Sequence, residues 1–371
     1  MQTVIQIGAG AIGRGFLAEL WCGAGYETVF VDANQTLVAQ INRRGAYPLH
    51  LVTQDTQTAP NIAPVRAIWT GDTDAVQQAL AVCDFAATAV GANRIETVAR
   101  TLIAPALPHR AAPLNVLLCE NGSDVRHDFL RGLGDAANGV GAVETVVGRM
   151  VPEPVRDPSD PLTVIAEPFR ELPFCAAHWQ GDLPRVDGLI AVPGALFPTY
   201  HLRKLFVHNG GHALLAYQGY QRGHEYLWQC AADATLAAEL RGFWSEVGTA
   251  FQSGEYRDAP IFAPEALAHF CDNLLYRFGN AHLGDTVERV ARDPVRKLAA
   301  HDRLVGAALL CLAQGVEPVY IVRAIRAALR YDARGDSAAQ TLAVRVAAQG
   351  DADTLREIAG LVAGHPLLSR L

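Results

Sequence analysis

The chain has 371 residues, half of them apolar and 19% charged, with a formal net charge of −7. That is enough for two globular domains, and the acidic balance with no long basic block argues against a nucleic-acid binder, while a local basic pocket for a small anion stays open. Seven scattered cysteines without a C-x-x-C pair read as free buried thiols. The N-terminus runs straight into TVIQIGAG with no charged leader, and the best apolar run, LVGAALLCLA at 304–313, is too short to cross a bilayer. The expectation is a cytoplasmic protein with no membrane partner.

Along roughly the first 150 residues, short apolar runs alternate with helical patterns, which is the signature of βαβ units around a parallel sheet. The expected strands are 3–7 (TVIQI), 28–33 (TVFVDA), 85–91 (FAATAVG), 115–121 (NVLLCEN) and 144–151 (ETVVGRMV). TDAVQQALAV at 73–82 reads as one of the intervening helices. Residues 152–192 are richer in proline and aromatics and read as an irregular or antiparallel appendage. From about 198, β-branched alternation ends and amphipathic helical patterns follow. They cover 200–221, 231–252, 264–277, 294–316, 317–330, 337–349 and 352–363. The expected fold class is therefore α/β: a Rossmann-type domain over 1–193 and an all-helical domain over 194–371.

TVIQIGAGAIGRG carries G-x-G-x-x-G as Gly8, Gly10 and Gly13, between a strand and a helix. Gly8 makes the tight turn, Gly10 lets a pyrophosphate approach the backbone, and Gly13 lets helix and strand pack closely. The helix N-terminus then offers its free N–H groups to the anion. Asp32 ends the next strand, placed to accept from a ribose diol and to repel a 2′-phosphate, which favours NAD over NADP. The alternative is a βα turn whose glycines serve packing alone.

YHLRKLFVHNGGHALLAY at 200–217 puts Lys204 among three histidines. At ~100° per residue, with Lys204 at zero, His208, His201 and His212 fall near ~40°, ~60° and ~80°. Three readings stand: a polar helix face, a metal site on His208 and His212, or proton transfer by Lys204 beside asparagine amides. Asn209-Gly210-Gly211 costs ~2 kcal/mol of helix propensity. That favours the third reading, because such a cost suggests a close approach to the backbone. So does Asn121, at the carboxyl end of a predicted strand, where ligands of doubly wound sheets sit. Further on, Arg296, Lys297 and Arg303 form a basic cluster; on one continuous helix Arg296 and Arg303 would share a face and could hold a phosphate ester, the alternative being a solvated face paired with Asp293 and Asp302.

Several stretches together resemble the polyol-specific long-chain dehydrogenases over almost the whole chain. They are GAGAIGRGF, TAVG at 88–91, CEN at 119–121, RMVP at 149–152, RKLFVHNGGHALLAY at 203–217 and DTVERVARDPVRKLAAHDRL at 285–304. Lys204, Asn209 and His212 match the family's K-x-x-x-x-N-x-x-H pattern. The resemblance implies a metal-independent NAD oxidoreductase with its active site between the two domains. It implies Lys204 as acid/base, Asn121 and Asn209 polarising the carbonyl, and His212 placing the substrate or the lysine. The implied cofactor-facing set is Gly8, Gly10, Ile12, Gly13, Arg14, Asp32, Val90 and Glu120. The implied reaction interconverts D-mannitol 1-phosphate and D-fructose 6-phosphate. The alternatives are an unphosphorylated polyol or a hexuronate as substrate, or an NAD-binding sensor without turnover. Monomer and dimer are both compatible with the sequence.

Overall fold

The computed structural model describes residues 1–122, 124–152 and 160–371. It divides into two compact units, Met1–Phe197 and Pro198–Leu371. The strands in chain order are β1 (Thr3–Ile7), β2 (Glu27–Asp32), β3 (Tyr47–Val52), β4 (Gln57–Thr58), β5 (Asn61–Ile62) and β6 (Val65–Trp69). Then come β7 (Phe85–Thr88), β8 (Leu114–Leu118), β9 (Val140–Glu144), β10 (Val164–Ala166), β11 (Leu172–Cys175) and β12 (Leu189–Val192).

Six strands form a parallel sheet in the order β6-β2-β1-β7-β8-β9. The chain winds outward from β1 in one direction and from β7 in the other, so the order reverses between them. This is the doubly wound Rossmann topology, whose ligand crevice opens at the carboxyl ends of the strands at that reversal. β1, β7 and β8 are buried on both faces, which is why they read as unbroken apolar runs. One face packs Ile5, Val29, Val116 and Phe129; the other packs Val4, Trp21, Phe85 and Leu117.

The expected strand at 144–151 is displaced: β9 ends at Glu144. The β-branched run beyond it leaves the sheet because its polar groups find other partners. The Val146 N–H donates to Pro173 O at 2.8 Å, and the Met150 N–H to the buried Glu167 carboxylate at 2.5 Å. β6, an edge strand with a short half-exposed pattern, and β3 were not among the expected strands. Of the irregular or antiparallel appendage expected, the antiparallel alternative fails, because its strands pair in parallel. β10 pairs parallel with β3, and β11 with β12, residues 176–188 supplying the crossover that a parallel pair requires. Residues 153–159 of that expectation lie outside the described residues.

The second unit is helical. Its central element runs end to end through the helix Phe197–Leu202, a π-helical turn Arg203–Asn209, and the helix Gly210–Gln221. The last is buried nearly all round, with the helices Ala234–Phe251, Val287–Ala291 and Val319–Leu329 packed on it. The expected helix 294–316 is broken. It exists as Pro294–Lys297 and Val305–Ala313, so Arg296 and Arg303 do not share a helix face. The cause is local: Asp302 accepts from the backbone N–H of Arg303 at 2.6 Å, an alternative to the helical ladder. The two last amphipathic segments meet at Gly350, whose φ of 82° kinks the long element Ser337–Ala359.

Asn209-Gly210-Gly211 is explained by packing. A Cβ on Gly210 would lie 2.8 Å from Phe243 Cζ and 3.1 Å from Arg303 O, and one on Gly211 would lie 2.8 Å from both Leu240 Cδ1 and Trp244 Nε1. Gly210→Ala is therefore expected to destabilise the protein by about 1–3 kcal/mol, the usual cost of overpacking a dense core. Urea unfolding of the two proteins measures it, and an unchanged midpoint would contradict the close approach.

Candidate active site

The expected site residues fall in two clusters, one in each unit. In the first, Gly8 takes φ +97° at the end of β1, its N–H donating to Val31 O at 2.8 Å. A Cβ there would press on the Ala89 carbonyl across the sheet reversal, and one on Gly13 would strike Gly8 O. A Cβ on Gly10 would point into open space. The N–H groups at the start of the following helix have no intrahelical acceptor. They lie ahead of Arg14, whose own N–H closes onto Gly10 O at 3.0 Å. An exposed glycine, unused N–H donors and a carboxylate at the tip of β2 form a donor set suited to a dinucleotide's pyrophosphate and ribose.

That carboxylate also works on the protein itself. Asp32 Oδ2 accepts from the Ala9 N–H at 2.7 Å and Oδ1 from the Asn34 N–H at 2.8 Å. Glu120, following β8, accepts from the N–H groups of Val90 at 2.8 Å and Gly91 at 2.7 Å. It thereby ties the carboxyl end of β8 to the loop after β7. Arg14 is buried, with Nε on Ala9 O at 2.7 Å and Nη1 on Leu162 O at 2.6 Å. Ile12 packs partly against the core, while Asn121 is exposed next to Glu120. Arg149, in the RMVP stretch, is buried against Glu19 at 2.5 Å and over the Phe16 ring.

In the second cluster the π-helical turn changes the register that a uniform 100° per residue implied. Its hydrogen bonds span five residues, as in Gly210 N–H to Leu205 O. Lys204 and Asn209 are five apart, so the turn brings onto one side two residues that a regular α-helix would separate by ~140°. Burial, reinforced by the positive charge of Arg303, pulls the Lys204 ammonium down to about 8. His201 is also lowered, by burial and then by Lys204. His208 is 5% exposed and set edge-on to the Phe278 ring at 5.6 Å; burial first, then Arg277 and its other cationic neighbours, hold it well below the usual histidine range.

His212 stacks flat on Phe278, ring centroids 4.8 Å apart. Its Nε2 lies 3.4 Å from Asp285 Oδ2. Asp285 is in turn gripped by Arg289, Nε to Oδ1 and Nη2 to Oδ2, both at 2.6 Å. Asp285 and Arg289, in DTVERVAR, have no place among the site residues expected from sequence, although their i,i+4 spacing is a usable signal.

The basic cluster separates. Arg296 is exposed and paired with Asp293 at 3.0 Å and Asp302 at 3.2 Å. Lys297 is buried, its Nζ on Arg292 O; burial, then Arg303 and Arg296, lower it to about 7. Arg303 holds Asp302 through Nε at 2.6 Å and is the cation that acts on Lys204 and, after Arg289, on His212. Among the described residues no group of three or more His, Cys, Asp or Glu side chains could hold a metal ion. No helix among them is long and apolar enough to cross a membrane.

The Mannitol dehydrogenase Rossmann domain matches residues 2–186, and the Mannitol dehydrogenase C-terminal domain matches residues 197–359. A mannitol-1-phosphate 5-dehydrogenase of Brevibacillus brevis is 36% identical over 378 residues, covering 99% of this chain and 95% of the relative. One from Shouchella clausii is 35% identical, covering 99% and 98%. In fold, the chain superposes on the Pseudomonas fluorescens mannitol 2-dehydrogenase, solved as a ternary complex with NAD and D-mannitol. The TM-score is 0.74 at 18% identity, over 100% of this chain and 90% of that one. The chain belongs to the mannitol dehydrogenase family.

Glu120→Gln tests the tie between β8 and the loop after β7. The amide offers one acceptor where the carboxylate offers two, so one backbone N–H loses its charged partner. The expected loss is about 1–3 kcal/mol. Unfolding gives the energy, and faster amide exchange at Gly91 locates it; unchanged exchange there would show that the tie carries no load.

Proposed function

We propose that this protein interconverts D-mannitol 1-phosphate and D-fructose 6-phosphate with NAD as hydride carrier and Lys204 as the proton donor and acceptor. Two kinds of observation support this. Relatives named for this activity match almost end to end. The observation that carries the mechanism is Lys204, held near about 8 on a turn that sets Asn209 beside it in register.

Gly8, Gly10 and Gly13 with the helix N-terminus would hold the dinucleotide's pyrophosphate, and Asp32 its ribose. When bound, the dinucleotide supplies or accepts the hydride. In reduction, negative charge develops on the substrate's C2 oxygen. The amide of Asn209 donates to that oxygen, and Lys204 delivers its proton to it. In oxidation, neutral Lys204 takes the hydroxyl proton. An ordinary lysine, titrating near ~10.4, is almost wholly protonated at neutral pH and makes a poor base. Burial and Arg303 remove that obstacle.

Of the three basic residues expected to hold the ester phosphate, Arg303 has the strongest support, being the one whose charge reaches Lys204 and His212. Arg296 is already divided between two carboxylates, and Lys297 is buried on a carbonyl.

The direct test is purified protein with NADH and a panel of keto sugars and their phosphates, followed by absorbance. Fructose 6-phosphate should be strongly preferred; a preference for plain fructose or a keto-hexuronate would move the reading to the unphosphorylated alternative. The pH profiles should mirror each other. Oxidation rises with pH through about 8 as Lys204 loses its proton, and reduction falls above about 8 for the same reason. Lys204→Ala should cost at least ~10²–10⁴-fold in turnover while NADH still binds. Arg303→Ala has two separable signatures. It should cost ~10–150-fold in kcat/KM on the phosphorylated substrate, the equivalent of ~1.5–3 kcal/mol, with little effect on any activity toward plain fructose. It should also move the lysine limb of the profile upward, because a neighbouring positive charge is gone. Equal losses on both substrates would return Arg303 to a structural role.

A further inference from the structure

Asp285 and Arg289 lie outside the residues assigned above, yet they are built around one that is assigned. Asp285 is only 8% exposed on its side chain, and both its oxygens are taken by the Arg289 guanidinium in a two-pronged pair. Its backbone is fixed as well, Asp285 O accepting from the Leu227 N–H at 2.9 Å beside the Tyr226–Thr286 bridge. A buried carboxylate this firmly held is a fixed negative charge. Burial alone would push Asp285 upward, but His212 and Arg289 outweigh it and bring it to about 2. It is ionised throughout the working pH range.

Besides Arg289, His212 is a polar side chain that faces this charge. Its Nε2 is 3.4 Å from Oδ2, an ion-pair distance rather than a formed hydrogen bond, and has no hydrogen-bond partner among the described residues. The flat stack on Phe278 prevents the ring from tilting away. An ionised carboxylate accepts and never donates. The ring nitrogen that faces it must therefore carry the proton. In neutral histidine the other nitrogen is then an acceptor.

We propose that Asp285, locked by Arg289, is a positioning residue that holds His212 as the neutral Nε2–H tautomer, so that Nδ1 presents a lone pair to a substrate hydroxyl or to the Lys204 ammonium. The acceptor role of His212 rests on the function proposed above; the tautomer does not. Burial, with Arg289 and Arg303 adding to it, keeps His212 from taking a second proton despite the opposing pull of Asp285. The histidine thus serves as a fixed acceptor rather than a competing acid beside Lys204.

Asp285→Asn is the decisive variant. An asparagine can turn its NH2 toward Nε2 and invert the tautomer while preserving shape. The full chain, labelled with imidazole 15N-histidine, is compared with Asp285→Asn and Asp285→Glu; His212→Gln identifies the resonance. The wild type should show a protonated Nε2 and an unprotonated Nδ1. Asp285→Asn should reverse the pattern or mix the two forms, with a loss of ~10–100-fold in kcat/KM, the range in which outer partners of a functional imidazole act. Asp285→Glu should keep the wild-type tautomer and recover part of the activity. NADH binding and thermal midpoint, measured on all three, distinguish positioning from folding. A wild-type His212 protonated at Nδ1 overturns the proposal. So does an Asp285→Asn that keeps the Nε2–H form, or equal losses in the Asn and Glu variants that track their midpoints. Should the wild type fail to reduce fructose 6-phosphate, the proposed function falls while the tautomer still decides the role of Asp285.

Discussion

The constraint on which the second unit turns is the five-residue hydrogen-bond spacing at Arg203–Asn209. A π-helical turn widens the helix and loosens its own packing, so it persists only where neighbours hold it. Here they are identifiable. Trp244 donates its indole N–H to Val207 O at 2.9 Å, supporting a carbonyl inside the turn. Two consecutive glycines then let the helix Gly210–Gln221 lie directly on Phe243, Leu240 and Trp244. The same turn lines up Lys204 with Asn209, and the helix that follows carries His212 to Phe278 and Asp285. One departure from α-helical geometry brings the Asn209 amide to the side of the helix that carries Lys204, where straight periodicity would hold the two ~140° apart.

A second theme runs through both units: carboxylates that serve backbone N–H groups. Asp32 holds Ala9 and Asn34, Glu120 holds Val90 and Gly91, and Glu167 holds Met150. In the helical unit Glu246 holds the first N–H groups of a helix, Tyr320 at 2.8 Å and Ile321 at 3.1 Å. Each satisfies donors that irregular backbone or a helix start would leave unpaired. At the sheet's carboxyl end this stiffens the very loops on which a doubly wound sheet displays its ligands.

What could be read from the sequence follows from what kind of force set each feature. The strands β1, β2, β7 and β8 and the cofactor turn were legible, since burial on both faces and glycine spacing are written in the chain itself. So were most of the helices, including the division near Gly350. β9 was misplaced because a β-branched run says nothing about its partner; Pro173 and Glu167, distant in sequence, took residues 146 and 150 away from the sheet. The helix expected across 294–316 failed on the competition of one aspartate for one N–H. In the site, residue types and their order were legible, while the π register, the inward use of Arg14 and Glu120, and the Asp285–Arg289 pair depend on contacts that periodicity does not encode.

Asp32 has a further consequence for how this fold can change. The oxygen that fixes the glycine turn belongs to the same side chain whose charge, on the proposed function, would repel a 2′-phosphate. Cofactor preference and turn integrity are therefore not independently adjustable. A replacement that removes the acceptor together with the charge orphans the Ala9 N–H. A lineage drifting toward the phosphorylated dinucleotide would need a neutral acceptor of similar reach at this position before, or together with, any new cation. Loss of that acceptor would loosen the turn, so the local architecture itself favours an oxygen-bearing side chain at this position.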